Sequence, residues 1–258
     1  MPPRPLILLS NDDGVTAKGI LLLREQLHRI ADVVVVAPEL EQSAKSHSIT
    51  LRRPLRHRRI DEFTHATDGT PVDCVYVALH RQGILSRWPD LVISGINHGA
   101  NLGSDVFYSG TVAAAREGAL RGIPAIAFSS LNLAYMAHAA EMATDMAERV
   151  LRLGRPTGQV PLLNVNFPAT EPIGVRSTCL GRRLYDDEVT VRRDPRGAEY
   201  FWVGGPGAHH HPLEGSDTEA IDAGFVSVTP LSLEATRSEH LDFATQIASH
   251  STAKKQPS

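Results

Sequence analysis

The chain has little of what would mark several large protein classes. Its 258 residues include two cysteines, Cys74 and Cys179. They lie far apart in no ligand-like spacing, which excludes a disulfide framework and suits free thiols in a reducing compartment. Neither sign of charge dominates: 26 Lys and Arg stand against 29 Asp and Glu, a net charge of -3. That balance does not suit a protein whose main task is gripping a polyanion through counterion release. No apolar run approaches the roughly 20 residues of a membrane span, and no charged start with an apolar stretch and cleavage site opens the chain. The expectation is a cytoplasmic protein with a small-molecule substrate and neither a membrane nor a nucleic-acid polymer as partner. No G-x-G-x-x-G follows the first apolar strand, so a dinucleotide-dependent oxidoreductase lacks its usual phosphate cradle.

What is present is a regular alternation. With 42% hydrophobic residues, the chain can bury a full core and fits one large α/β domain with a small extension. "LILLS" precedes a helical pattern from Gly19 to Ile30, and "DVVVVAP" then reads as a β-branched strand ended by proline. Residues 71–82 read as a helix opened by Pro71, "DLVISG" as a buried strand, and 110–122 as a helix closed by glycine. "IPAIAFS", a long helix from Ala134 to Leu153 and "PLLNVNFP" continue the series. Continuous apolar strands separated by helices predict a Rossmann-like, mostly parallel sheet with helices on both faces. The core is expected over residues 1–170. Residues 171–250 are expected to form a β-rich hairpin extension without a convincing helix before a last one near 239–249, and 251–258 a disordered tail.

In such a sheet ligands gather at the carboxyl ends of the strands. After the first strand stand Asn11, Asp12, Asp13 and Gly14, after the second Ser43, and after "DLVIS" Asn97. Adjacent carboxylates repel and lose hydration when buried, so a cation is expected between them. Two carboxylates, a hydroxyl and an amide are hard oxygen ligands that suit Mg²⁺ or Mn²⁺. In "YSGTVAAAREG", Ser109, Gly110 and Thr111 occupy a small-residue helix start where free backbone N–H groups favour an anion such as phosphate. The more ordinary role of such a Ser or Thr is a helix N-cap. Together the two features predict a metal-assisted phosphate-ester site, with Asp12, Asp13 and Asn97 as its catalytic residues. The nucleophile is expected to be a water oriented by one of the aspartates, with direct attack by Asp12 or Asp13 as the competing route.

The blocks "ILLSNDDGV", "APELEQSAKSHSIT", "TDGTPVDCVYVAL", "DLVISGINHGANLGSDVFYSGTVAAAREG", "GIPAIAFS", "LLNVNFP" and "DAGFVSVTPL" occur in an order that resembles the SurE family of stationary-phase survival nucleotidases. The resemblance implies a Rossmann-like domain with a swapped C-terminal hairpin, assembly into homodimers or homotetramers, and one divalent ion per subunit. It also implies hydrolysis of nucleoside 5′- and 3′-monophosphates, with some members trimming short polyphosphate. By motif position the family's metal ligands fall on Asp12, Asp13, Ser43 and Asn97. The chain departs from the pattern at "SAKS" after Ser43, where glycine is common, and at His98 and Ser104.

Other stretches have ordinary readings beside sharper ones. "TDGT" at 67–70 echoes an aspartyl-phosphate signature but reads better as a turn into a helix. His209, His210 and His211 read as a loop rather than a zinc site. The arginines of Leu51 to Ile60 read as the solvated face of an edge strand, or as a collar for polyanionic substrates. Asp105 is expected to support the site from outside. Asn101 and His47 are expected phosphate or base contacts, with structural hydrogen bonding as the alternative. A nucleotide-binding module without chemistry would not require the adjacent acids.

Overall fold

A computed structural model describes residues 3–155, 159–185, 189–204, 208–211 and 213–249. The expected tail at 251–258 lies outside them. The chain runs β1 (Leu6–Ser10), α1 (Lys18–Leu27), β2 (Asp32–Pro38), β3 (His57–Arg59), β4 (Thr64–Thr67), α2 (Pro71–His80), β5 (Leu91–His98) and α3 (Gly110–Leu120). It continues through β6 (Ala125–Ser130), α4 (Met136–Leu153), β7 (Leu162–Phe167), β8 (Val175–Ser177), β9 (Arg182–Tyr185), β10 (Val189–Arg193), β11 (Glu199–Val203), β12 (Ala208–His211), α5 (Asp217–Asp222), β13 (Val226–Pro230) and α6 (Leu241–Ser249).

Nine strands form one sheet in the order β3-β4-β2-β1-β5-β6-β7-β13-β8. The run from β4 to β7 is parallel, β3 joins β4 and β13 joins β7 antiparallel, and β8 pairs parallel with β13. The two-residue period of a strand sends alternate side chains to opposite faces. In β1, Ile7 and Leu9 meet Ile20, Leu23 and Leu27 of α1 and the alanine stripe Ala139, Ala140, Ala143 and Ala147 of α4. Leu6 and Leu8 meet Cys74, Val75 and Ala78 of α2 and Val112, Ala115 and Ala119 of α3 on the other face. Burial on both faces explains why these strands are continuously aliphatic.

The "TDGT" stretch is the expected turn. Thr70 Oγ1 accepts from Asp73 N at 3.1 Å, Asp73 Oδ2 accepts from Thr70 N at 2.9 Å, and Pro71 opens α2. The long helix is shorter than expected, because Leu133–Tyr135 form a separate 3₁₀ turn before α4. The last helix likewise follows a 3₁₀ turn at Ser238–His240. The arginine stretch ends in edge strand β3; Arg58 pairs with Glu39, and Arg53 and Arg56 share Asp68, so two carboxylates offset part of the charge of its five arginines.

Three expectations need correction. β4, sequence "THAT", is a fully buried parallel strand that its polar residues hid. The histidines His209 to His211 lie in β12, paired antiparallel with β9, and not in a loop; their side chains lie outside the described part of the structure. The region expected to lack a helix contains α5, opened by Ser216, whose Oγ accepts from Glu219 N at 3.2 Å. Its "SDTE" is a capping-box sequence. β13 and β8 of the same region complete the main sheet, and β9–β12 and β10–β11 form two small antiparallel pairs.

Asp217 fixes this later region to the core. It is fully buried and accepts from Gly181 N at 2.7 Å, Thr218 N at 2.8 Å and Gly103 N at 2.9 Å. Removing the carboxylate strands buried N–H donors, each costing about 1–3 kcal/mol. Asp217→Ala is therefore expected to lower Tm by roughly 6–12 °C, with Asp217→Asn in between, measured by calorimetry. A change within about 1 °C for Asp217→Ala would remove this residue from its role.

Candidate active site

The loops leaving β1, β2 and β5 meet at the carboxyl edge of the sheet, where the peptide chain holds them together. Gln42 N donates to Asp12 O at 2.8 Å, joining the segment after β2 to the end of β1. Ser46 N and Oγ donate to Tyr108 O at 2.9 Å and Phe107 O at 2.6 Å, joining it to the segment before α3. His98 N donates to Asp13 Oδ2 at 3.2 Å, joining the end of β5 to β1. Asn11 closes its own turn, with Nδ2 donating to Gly14 O at 2.8 Å.

A cavity of about 370 Å³ opens at this junction, and Asp12, Ser43, Asn97, Asn101, Asp105, Ser109 and Arg183 are among the residues on its walls. Asp12 is 5% exposed. Burial, aided by the neighbouring Asp13 charge, pushes its carboxyl up to about 6, although hydrogen bonds from Thr111 favour the ionised form. Burial also raises Asp13, against the His98 N–H and with Glu41 adding repulsion. Gly110 makes the approach of α3 to Asp12 feasible: a Cβ there would lie 2.9 Å from Asp12 Cβ and 3.0 Å from its Oδ2. On the far side, the register of β5 against β6 shifts between Ser94 and Asn97, a bulge of the kind that re-aims a side chain. Asn97 Nδ2 donates to Gly99 O at 2.7 Å, which leaves its amide oxygen to face the cavity's other groups. Ser43 Oγ donates to Glu41 Oε1 at 2.6 Å.

Not every expected residue reaches the cavity in the expected way. Ser109 lines it but also caps α3, its Oγ accepting from Val112 N at 3.1 Å. Thr111 is fully buried, and its hydroxyl donates to Asp12 Oδ1 rather than facing an incoming anion. His47 is not among the lining residues; its Nε2 sits 3.0 Å from Glu117 Oε2 on α3. Burial works against the Glu117 charge, but His47 and Arg121 hold its carboxyl below the usual range. His98 is the imidazole at the cavity.

Asn101 lines the cavity within a buried amide network. Its N donates to Asn166 Oδ1 and its Nδ2 to Ser129 Oγ, both at 2.8 Å, and its carbonyl accepts from Asn164 Nδ2 at 2.7 Å. Asn164 and Asn166 were missed, though two amides at period two inside an apolar strand were a readable signal. Asp105 is nearer the site than expected. It is 9% exposed, lines the cavity and accepts from Arg183 Nη1 at 2.5 Å. Arg183 comes from β9, and nothing local in the sequence pointed to it.

Among the described residues no helix is long and apolar enough to cross a membrane, and no cluster of three or more His, Cys, Asp or Glu side chains forms a metal site of that kind.

The family model "Survival protein SurE" matches residues 7–187. A "5'-nucleotidase SurE" of Sorangium cellulosum is 55% identical over 251 residues, 95% of this chain and 96% of its own. A protein of the same name from Vibrio parahaemolyticus is 46% identical, covering 92% and 93%. The crystal structure of the SurE protein from Aquifex aeolicus superposes with a TM-score of 0.81 at 39% identity, over 95% of this chain and all of that one. With a family model over most of its length and relatives this similar from end to end, the chain belongs to the SurE family.

Proposed function

We propose that the chain is a divalent-metal-dependent phosphomonoesterase that converts nucleoside 5′- and 3′-monophosphates to nucleoside and phosphate, and that short polyphosphate enters the same site. The observation that carries this reading is the buried Asp12 beside Asp13, facing a cavity bounded by the start of α3. The relatives' shared name, 5'-nucleotidase, supports it.

The donor set fits a hard cation: two carboxylates whose pKa values are raised by burial and by neighbouring negative charge, a hydroxyl and an amide oxygen. Asp12, Asp13, Ser43 and Asn97 would hold one Mn²⁺ or Mg²⁺. Bound there, the ion supplies positive charge to the phosphoryl oxygens as the transition state develops. The chain's own groups do the rest. The backbone N–H of Gly110 would face the anion at the positive end of α3, the Ser109 N–H being engaged by Asp105 O at 3.0 Å, and Asn101, fixed by its network, forms a rigid wall beside it. Thr111 holds Oδ1 of Asp12, so Oδ2 is the oxygen left to orient an attacking water and take its proton. Water oxygen bonds to phosphorus as its proton passes to Asp12 Oδ2, the ester P–O bond breaks, the leaving alkoxide takes a proton from solvent water to become the nucleoside hydroxyl, and Asp12 then returns its proton to solvent. Direct attack by Asp12 Oδ2 would require the Thr111-held carboxylate to stay in line with the leaving oxygen.

The homodimer or homotetramer expected from the arm has support in its surface. Strands β10 and β11 leave Val189, Val191, Tyr200, Phe201, Trp202 and Val203 exposed, an apolar area of the kind that marks a contact surface. A second copy of the chain is its proposed cover.

Two outcomes are expected. Phosphate release from nucleoside monophosphates should require Mn²⁺ or Mg²⁺, stop with EDTA, and fall by roughly 10²-fold or more in Asp12→Asn and Asp13→Asn with the fold intact by circular dichroism. Activity that persists in EDTA after exhaustive dialysis would end the metal reading. Light scattering should show more than one 28.0 kDa chain per particle, and a smaller particle once residues 189–203 are replaced by a short linker. A monomer for the intact chain would refute the assembly.

A further inference from the structure

The segment that carries Ser43 places no side chain in the core: from Glu39 to Ile49 every residue is at least partly exposed. Its two ends are fixed. Gln42 N donates to Asp12 O at one end. At the other, Ser48 O accepts from Thr70 Oγ1 at 2.7 Å, and Thr50 N donates to Asp73 Oδ1 at 2.8 Å. Between them the backbone turns left-handed twice, at Ala44 with φ 55° and at Ser46 with φ 53°. A Cβ makes that conformation unfavourable, so such residues keep it only where neighbours hold them there.

Ser46 N and Oγ reach Tyr108 O and Phe107 O, but these two residues are themselves exposed, at 66% and 64%. His47 reaches the interior. Its Nε2 lies 3.0 Å from Glu117 Oε2, and the Glu117 side chain is 4% exposed. Arg121 Nε donates to the other carboxylate oxygen at 2.9 Å, which leaves Oε2 to accept the imidazole N–H. Glu117 stands on α3, the helix that also presents Thr111 to Asp12. One rigid helix thus sets both the Asp12 carboxylate and the segment after β2.

We propose that the His47–Glu117 pair holds Ser43 in place for the divalent ion, with Glu117 a positioning residue that acts through His47 and touches neither ion nor substrate. The inference rests on the metal-dependent reading above. Without the pair the left-handed turns relax, and Ser43 stands at the cavity for only a fraction of the time. Affinity for the ion falls with that fraction, whereas an excess of ion draws the segment back and restores the rate. A group that touched the phosphate would behave in the opposite way, losing rate at any metal concentration while the ion bound as before.

The test reads Mn²⁺ binding by electron paramagnetic resonance without substrate, and phosphate release from adenosine 5′-monophosphate as Mn²⁺ is raised. The His47 side chain is 27% exposed, so His47→Ala should keep the fold by circular dichroism. Its Kd for Mn²⁺ should rise about tenfold, while its rate at saturating Mn²⁺ stays within about threefold of the intact chain's. Ala44→Gly, added to it, removes the penalty on the left-handed turn and should return Kd to within about threefold. An unchanged Kd in His47→Ala, a raised Kd that Ala44→Gly does not recover, or a rate that stays low at saturating Mn²⁺ would overturn the positioning role. Failure of the intact chain to bind Mn²⁺ would overturn the metal reading itself.

Discussion

Two neighbouring carboxylates at the end of a buried strand are the constraint around which the carboxyl edge is arranged. Asp12 has lost nearly all its water, so its charge must be met by something fixed. The thread of hydrogen bonds from Thr111 meets part of it, and only glycine at 110 lets α3 come close enough to present that residue. The segment after β2 is drawn in by the Asp12 carbonyl and the end of β5 by the Asp13 carboxylate. Loops that would otherwise move independently thus share the two residues as an anchor. A preformed site of this kind needs little reorganisation when charge arrives.

The same logic recurs one layer out. Asp217 is buried among backbone donors from three separate stretches, and it holds the start of β9 against the 3₁₀ turn at Gly103–Phe107. Gly103 permits that approach, since a Cβ there would fall 2.7 Å from Gly181 O. The turn carries Asp105 and the strand carries Arg183, so the ion pair at the cavity wall follows from the placement of Asp217. The later part of the chain is therefore a wall of the site as well as an apolar surface.

Much of this was legible in the sequence for a definite reason. Strands buried on both faces must be continuously aliphatic, and helices must show one apolar stripe, so β1, β2, β5, β6 and β7 with their helices could be read directly. Asp12, Ser43 and Asn97 could be found because an open parallel sheet gathers ligands at strand ends. β4 escaped because its burial comes from neighbours and its four residues carry almost no apolar pattern. Arg183 and Asp217 escaped, and the partner of Asp105 with them, because the contacts span long stretches of chain: Asp217 bonds to Gly103 across 114 positions and Arg183 to Asp105 across 78. For His47 the two readings, a ligand contact and a structural hydrogen bond, could not be separated in the sequence for the same reason. Its partner Glu117 is 70 positions away and turns the ring toward α3.

Charge balance at the edge shows why the pieces belong together. With Asp12, Asp13 and Asp105 ionised, the guanidinium of Arg183 leaves two negative charges uncompensated, and Asp105 already engages that guanidinium. A phosphate ester dianion would meet net repulsion there, which the start of α3, equivalent to about half a positive charge, cannot reverse. On the proposed reading one divalent cation would cancel those two charges, with Glu41 still adding repulsion nearby, and the helix end would then favour an anion. On the same reading, admission of the substrate and binding of the ion would be coupled through the same two aspartates. An isolated phosphate-binding helix start would bind anions without regard to a metal, whereas on the proposed reading the buried carboxylates of this edge would make the anion depend on one.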